Sequence, residues 1–368
     1  MRMHFVARAL GTAWPDLNDL SEHDVAAQAA RFRGGVNNWI VQTFLRLRQS
    51  LLAAGITPTI GEAFISGCVN LAHRDCLNRL LAPYHRSYVV GVRADRPPVH
   101  SCDREIVQND LEPANARTHF LPFWPQAGLI ARDPSRRSRL QRMAYFGRTS
   151  AAPAWFYDPA WHCALASMGV VFEIRNDCWF DYSQVDVVLA HRAETPTMLR
   201  QKPASKLINA WLAGTPALLA NEPAYASLRR SGLDYIAIES PADVLAALRQ
   251  LRSSPAQYAA MVDNGRRRSA DYSVESTKAR WMRFLLDEVV PAAIAWQSAP
   301  RGSVDARITQ LARAARQKLA AKRFRLQVFL DLHGSPWLRR IGSAGYDAQC
   351  VAGGESAAGA AGFAGPRS

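Results

Sequence analysis

The sequence predicts an α/β protein with two doubly wound parallel sheets, each flanked by helices. Short apolar segments alternate with helical patterns along most of the chain, and this alternation is typical of parallel sheets. A polar and basic stretch with one proline, Ala131 to Arg142, separates two such series and predicts a domain boundary. With 368 residues, the chain is long enough to form two hydrophobic cores.

Four apolar segments in the first half have the length of buried strands. They are His4 to Ala9, Ile56 to Ile60, Cys68 to Ala72 and Tyr88 to Val92. A helix is predicted from Thr43 to Ala54, where Gly55 follows as a stop signal. Gly34 and Gly35 precede Asn37, so we expect a glycine turn that opens onto a helix.

The second half alternates more regularly. Its predicted strands are Met143 to Phe146, Val170 to Ile174, Val185 to Ala190, Ala217 to Ala220 and Tyr235 to Ile238. Its predicted helices are Pro159 to Met168, Pro203 to Ala213, Pro223 to Arg230 and Ala242 to Leu251. Because doubly wound sheets bind ligands at the carboxyl ends of their strands, the residues that follow these strands are candidates for a site.

The segment Lys202 to Pro216, KPASKLINAWLAGTP, is the most informative part of the chain. One helical face carries an apolar stripe formed by Ala204, Leu207, Ile208, Trp211 and Leu212. The opposite face carries two cations and two hydrogen-bonding side chains, Lys202, Ser205, Lys206 and Asn209. Free N–H groups and lysines in a first helical turn favour an anion site. A surface helix with solvated lysines fits the same spacing.

This segment resembles the donor-site helix of GT-B glycosyltransferases of the group 1 or family 4 type, in which a helix, Gly-Thr-Pro and a buried strand follow one another. The resemblance extends from about Met143 to about Val290. It implies two Rossmann-like domains, a nucleotide-sugar donor on the second, and an acceptor in the cleft between them. Retaining members carry E-x7-E here, whereas this chain has Gln201 and Asn209, so the resemblance does not predict the stereochemical outcome.

The candidate donor-binding residues are Gly147, Arg148, Lys202, Ser205, Lys206, Asn209 and Glu222. Arginine and lysine suit phosphate oxygens, so we expect a diphosphate near Arg148, Lys202 and Lys206. In the family, a glutamate that binds ribose falls at the position of Asn209. Glu222 follows the next strand, and we therefore expect it to take over or share that contact. The aromatic loop around Trp179 fits either base stacking or packing at a domain edge.

An acceptor hydroxyl needs a base that reaches the cleft. The candidates at predicted strand ends are His73, Asp75 and Asp95, each of which also fits a structural hydrogen-bonding role. Gly34 and Gly35 are the candidate acceptor-binding residues, because a glycine turn lets a substrate approach the backbone. The sequence does not distinguish a glycan, a lipid or a protein as the acceptor.

The net charge of +14 predicts an anionic partner, such as nucleotide phosphate, anionic lipid or nucleic acid. Nucleic acid is the weakest of these, because no nucleic-acid-binding motif is recognised. Six scattered cysteines show no zinc spacing, Asp-x-Asp is absent, and glycine-rich nucleotide motifs are absent. We therefore expect no metal and no cofactor. The first residues lack the apolar core of a signal peptide, which predicts a cytoplasmic protein.

The last part of the chain predicts two helices. Asp271 to Pro291 resembles the late GT-B helix that crosses back onto the N-terminal domain. Asp305 to Leu332 is very basic and also apolar, so it fits an anionic membrane surface or packing on its own domain. The predicted units are 1–135, 139–280, a crossover helix at 281–300, a basic extension at 301–347, and a disordered tail at 348–368.

The sequence therefore predicts a glycosyltransferase that uses a nucleotide-sugar donor without a metal ion. Two alternatives share the fold, a sugar-nucleotide epimerase and a binding protein with a degenerate transferase fold. The changes at Gln201 and Asn209 favour the second of these alternatives.

Overall fold

A computed structural model of the chain describes residues 1–77, 86–111, 115–298 and 303–333. The expected disordered tail at 348–368 lies outside the described residues, as does the end of the basic extension, 334–347.

The first sheet has six strands in the order β2-β1-β3-β4-β5-β6, and all neighbouring strands are parallel. These strands are β1 (Arg2–Val6), β2 (Thr57–Gly61), β3 (Val69–His73), β4 (Tyr88–Val92), β5 (Arg104–Val107) and β6 (Thr118–Phe120). The helices beside them are α1 (Leu10–Ala13) and α2 (Gln42–Ala53), and a π-helical turn at Asn37–Val41 leads directly into α2. The central strands β3 and β4 are buried at every position, as expected for a parallel sheet with both faces covered.

The second sheet has five parallel strands in the order β11-β10-β9-β7-β8. Its strands are β7 (Arg142–Phe146), β8 (Val171–Arg175), β9 (Val187–Ala190), β10 (Ala217–Ala220) and β11 (Ile236–Ile238). Its helices are α3 (Pro159–Ser167), α4 (Pro196–Leu199), α5 (Ser205–Ala213), α6 (Pro223–Leu228), α7 (Pro241–Ser253) and α8 (Pro255–Ser269). If the strands of each sheet are numbered along the chain from the first strand of that sheet, both sheets have the order 2-1-3-4-5. The first sheet has a sixth strand after the fifth. The predicted fold class, two Rossmann-like doubly wound domains, is confirmed.

The chain returns to the first sheet after α8. The helical segments there are α9 (Val274–Arg283), a π-helical turn at Phe284–Val289, and α10 (Val290–Ser298). Trp281, Phe284 and Val289 belong to the same hydrophobic cluster as Phe5 of β1 and Phe44 of α2. A last helix, α11 (Ser303–His333), follows.

Several elements differ from the prediction. Strands β5 and β6 and helix α8 were not predicted, because β5 and β6 are short and α8 buries only Tyr258, Met261, Gly265 and Arg268. Helix α5 begins at Ser205 rather than at Pro203. The reason is tertiary: the carbonyl oxygens of Arg200 and Lys202 accept hydrogen bonds from the Asn109 amide of the first domain, which holds the chain outside the helix at this point.

The polar stretch between the two sheets is anchored to the second sheet. Arg132 and Arg136 both donate to the carboxylate of Asp186, with closest distances of 2.8 Å, and all three side chains are buried. The backbone N–H groups of Gln141 and Arg142 donate to the same carboxylate. Residues that look like a solvated linker in the sequence therefore form a buried ion cluster at the entry to β7.

Candidate active site

A cavity of about 520 Å³ is lined by residues from both domains. In the second sheet, the strand order reverses between β7 and β9. Gly147 and Arg148, which directly follow β7, and Arg192, the second residue after β9, all line the cavity. The cavity therefore lies at the switch point of this sheet, where doubly wound folds bind their ligands.

The structure brings most of the predicted site residues together in this cavity. The predicted donor residues in its lining are Gly147, Arg148, Lys202, Ser205, Lys206 and Asn209. The predicted residues from the first domain are Gly34, Gly35 and Asp95. Three predicted residues, His73, Asp75 and Glu222, are not part of the lining.

The beginning of α5 is open towards the cavity. Ala204 occupies the N-cap position, and no side chain accepts a hydrogen bond from the first turn. Pro203, Ser205 and Lys206 line the cavity at this point. The N–H groups of the first turn and the positive end of the helix dipole are therefore directed at the space where a ligand would bind.

Lys206 is a cation in a buried and positively charged environment. Its ammonium group lies 5.1 Å from the centre of the Tyr145 ring. Burial, and after it the neighbouring Arg192, hold the pKa of Lys206 well below its ordinary value. A cation in these surroundings gains more from a bound anion than a solvated lysine does, because burial and a neighbouring cation disfavour its charge until an anion compensates them.

Lys202 lies between two carboxylates that line the same cavity. Its Nζ is 3.0 Å from Glu194 and 3.5 Å from Asp95, which belongs to the first domain. Although burial alone would raise the pKa of Asp95, Lys202 and Arg96 outweigh it and hold this pKa below its usual range. Asp95 is therefore ionised at neutral pH and can accept a proton or a hydrogen bond from a hydroxyl group.

Glu222 is placed behind the cavity. Its side chain is fully buried and forms an ion pair with Arg192, which does line the cavity. The expected direct contact between Glu222 and a ribose is therefore not available in this structure. The cause is Arg192, which the fold places between this carboxylate and the cavity. Glu222 positions the Arg192 guanidinium.

His73 lies beneath the glycine turn. A Cβ atom at Gly35 would lie only 2.5 Å from Nε2 of His73. The imidazole is fully buried, its Nδ1 accepts a hydrogen bond from the Asp75 N–H at 3.2 Å, and burial lowers its pKa to about 4. The ring is therefore neutral at physiological pH and supports the backbone of Gly35 rather than reaching a substrate. Gly34 has a φ of 81°, which a residue with a side chain rarely adopts.

Asp75 also acts through another residue. Both of its carboxylate oxygens accept from Nε of Arg96 at 3.2 Å, and Arg96 lines the cavity. Of the three candidate bases, only Asp95 reaches the cavity.

Aromatic side chains form another part of the second-domain wall. Phe146 and Tyr182 stack with their ring centres 4.0 Å apart, and Trp179 lines the cavity beside them. The sequence left open whether the loop of Trp179 stacks a base or packs a domain edge. The structure places this side chain in the cavity wall.

Hydrogen bonds from the first domain hold the loop that enters α5. The Asn109 side chain donates to the carbonyl oxygens of Arg200 and Lys202 at 2.8 and 3.1 Å. The Gln126 N–H donates to Oδ1 of Asn209 at 3.2 Å. The two walls of the cleft are therefore tied together at the loop before α5 and at Asn209 within it.

Four residues that contribute to the charge and shape of the cavity were not among the predicted site residues. They are Arg96, Tyr145, Arg192 and Glu194. Arg192 is the second residue after β9, so its position near a strand end could have identified it as a candidate. Tyr145 lies inside β7 and Glu194 in the loop before α4, where the local pattern carries no comparable signal.

The described part of the chain contains no cluster of three His, Cys, Asp or Glu side chains arranged to hold a metal ion. None of the described helices has both the length and the apolar character needed to cross a bilayer.

The sequence matches no protein-family profile and no curated protein. Among solved structures, HepE from Anabaena in complex with UDP is 13% identical with a TM-score of 0.48, covering 78% of this chain and 100% of HepE. AviGT4, a glycosyltransferase involved in avilamycin A biosynthesis, is 14% identical with a TM-score of 0.48, covering 79% of this chain and 98% of AviGT4. TarM is 10% identical with a TM-score of 0.44, and the match covers 59% of this chain but only 54% of TarM. The assignment of the fold rests on the strand order of the two sheets.

Proposed function

We propose that this protein is a glycosyltransferase that takes a sugar from a nucleotide-sugar donor in the cleft between its two domains. One observation carries the proposal. Arg148, Arg192, Lys202, Lys206 and the open N-terminus of α5 converge on one cavity at the switch point of the second sheet. This combination suits a diphosphate, because the cations and backbone N–H groups stabilise the negative charge that develops when the nucleotide leaves.

In this proposal, Lys206, Arg148 and Arg192 bind the diphosphate, and Glu222 keeps Arg192 in position. Lys202 exchanges its carboxylate partners for a phosphate oxygen when the donor binds, which leaves Asp95 free. These fixed cations supply the charge, so the reaction needs no metal ion.

The acceptor would enter from the first domain. Gly34 and Gly35 let an acceptor approach the backbone, and Asp95 is the group that accepts the proton of the attacking hydroxyl. Trp179 offers a flat surface for the nucleobase. A glycan, a lipid or a protein remains open as the acceptor.

The test is a panel of nucleoside diphosphate sugars, scored first by thermal stabilisation and then by release of nucleoside diphosphate with candidate acceptors. A ligand at 100 times its dissociation constant adds about 2.7 kcal/mol of stability. Lys206→Met should weaken binding of the selected nucleotide by about 1.5–3 kcal/mol, because one charge-assisted contact is lost. Arg249→Gln, an exposed cation on α7, is the matched control and should bind as the wild type does.

The outcomes separate the candidate functions. Binding with transfer to an acceptor supports the proposal, and binding without any turnover supports a binding protein. Conversion of the donor to another sugar nucleotide without an acceptor supports an epimerase. Unchanged nucleotide affinity in folded Lys206→Met contradicts the diphosphate site itself.

A further inference from the structure

Helix α11 is attached to the rest of the protein along one face. Phe324 is fully buried, and Gln317 accepts from the N–H of Ser101 at 3.2 Å. Near the end of the helix, Asp331 accepts from the N–H of Thr197 at 3.0 Å. Because residues of both domains hold α11, its orientation is determined, and its other face is turned to solvent.

That other face carries a row of large apolar side chains. They are Val304, Ile308, Leu311, Leu319, Leu326 and Phe329, and each is between 50% and 65% exposed. Successive members are three, four, seven or eight positions apart, which places them on one side of the helix. Exposed apolar residues that occur singly need no explanation, whereas a row of this length indicates an interaction surface.

Cations border this apolar row on both sides. At 100° per residue, Arg307, Lys318 and Arg325 lie along one border, and Arg316 and Arg323 along the other. All five are exposed. Among the side chains of α11 that the structure describes, the only carboxylate is that of Asp331, which is bonded to the protein. The exposed face therefore combines apolar groups with positive charge.

We propose that the exposed face of α11 docks the protein onto an anionic lipid bilayer. The apolar row would enter the boundary between head groups and acyl chains, while the bordering cations contact lipid phosphates. A second copy of the chain would also cover the apolar row, but it would bring two sets of like charges together, which is unfavourable. One face of this helix packs on the protein, and the proposed membrane contact uses the opposite face.

The experiment is flotation of the full-length protein with vesicles of phosphatidylcholine, with and without phosphatidylglycerol. Wild type should float with the anionic vesicles and remain free with the neutral ones. Leu319→Gln with Leu326→Gln should lower the partition coefficient about tenfold or more, because two side chains no longer enter the apolar layer. The matched control is Leu52→Gln with Ile294→Gln, at positions 49% and 52% exposed elsewhere on the surface, and it should float as wild type does.

A second pair of variants tests the charge. Lys318→Gln with Arg325→Gln should weaken binding to anionic vesicles by about fivefold for each cation removed. Arg249→Gln with Arg267→Gln, on the second domain, should have no effect. These variants leave the cleft intact, so nucleotide binding is unaffected, and failure here does not bear on the proposed donor site.

Two results would overturn the membrane assignment. One is equal flotation of wild type and the Leu319→Gln, Leu326→Gln variant. The other is a dimer in sedimentation without lipid that this variant abolishes, combined with no vesicle binding, which assigns the row to a second copy of the chain.

Discussion

On the second-domain side of the cleft, the surface includes several charged side chains, among them Lys206 and Arg192, and Glu222 is buried behind them. On the first-domain side, it includes the backbone of Gly34 and Gly35, which rests on the buried and neutral His73. The charged groups of the second-domain wall depend on buried partners. The glycine turn of the first-domain wall, which lies beside the charged Asp95 and Arg96, depends on close packing beneath it.

Because of this difference, substitutions in the two walls should have different effects. Removing a partner from the charged wall leaves an ion unpaired, so ligand affinity and pH dependence should change along with stability. Adding volume to the backbone wall creates a clash, so stability and acceptor use should change while donor binding does not.

Glu222→Ala should destabilise the protein by about 3–5 kcal/mol, because Arg192 is then buried without its partner. Urea unfolding measures this change. The control is Asp263→Ala, which removes an exposed ion pair with Arg266 and should change stability by about 0.5 kcal/mol or less. Affinities for ribonucleotide and 2′-deoxyribonucleotide should fall equally, because Glu222 acts through Arg192. A larger loss for the ribonucleotide would contradict this and restore a direct ribose contact.

His73 should make the protein sensitive to acid. Its pKa is about 4 in the folded state, below the ordinary value of 6.5, so the unfolded chain binds more protons between these values. The stability that the neutral ring contributes is complete above pH 6.5 and is lost as the pH falls to about 4. The loss amounts to about 3 kcal/mol. The free energy of unfolding of His73→Gln, measured with urea, should lack this part of the pH dependence. If this free energy changes with pH in the same way in wild type and in His73→Gln, another group causes the acid sensitivity.

Gly35→Ala should destabilise the protein by about 1–3 kcal/mol, since the new methyl group would lie 2.5 Å from Nε2 of the buried His73 ring, so that one of the two must shift. Gly11→Ala is the matched control, because nothing lies within 4 Å of a Cβ there. Nucleoside diphosphate affinity should be unchanged in both folded variants, as measured by calorimetry. If Gly35→Ala weakens nucleotide binding as strongly as Lys206→Met does, the two walls do not act separately.

The smallest predicted effect is the pH dependence of nucleotide binding. A bound diphosphate should raise the depressed pKa of Lys206, so that binding takes up a proton. Affinity should therefore fall as the pH rises between the free and bound pKa values, by at most about tenfold per pH unit. Calorimetry in buffers of different ionisation enthalpy measures the proton uptake. Lys206→Arg should bind without this uptake, since arginine stays charged; equal uptake in both proteins would assign the proton to another group.

Local sequence patterns predicted the parts of this site that depend on nearby residues. The four residues of the predicted polar face of α5, Lys202, Ser205, Lys206 and Asn209, all line the cavity. Glu222 does not line it, and the sequence could not show this, because a strand-end carboxylate looks the same in sequence whether it faces a ligand or a buried arginine. Arg132 and Arg136 show the same limit: their basic segment reads as a linker, and only the buried Asp186 makes it a structural cluster.

The amino-acid sequence alone is enough to predict the alternation of strands and helices, the glycine turn before Asn37, and the cations at the start of α5. These follow from side-chain periodicity and backbone preferences, which act over a few residues. Three contacts can be seen only in the tertiary structure. Asp95 forms an ion pair with Lys202, Gly35 packs against His73, and the buried Glu222 forms an ion pair with Arg192. Each of these contacts joins segments that are distant in the chain, and it forms because two sheets pack so that their strand ends face one cleft.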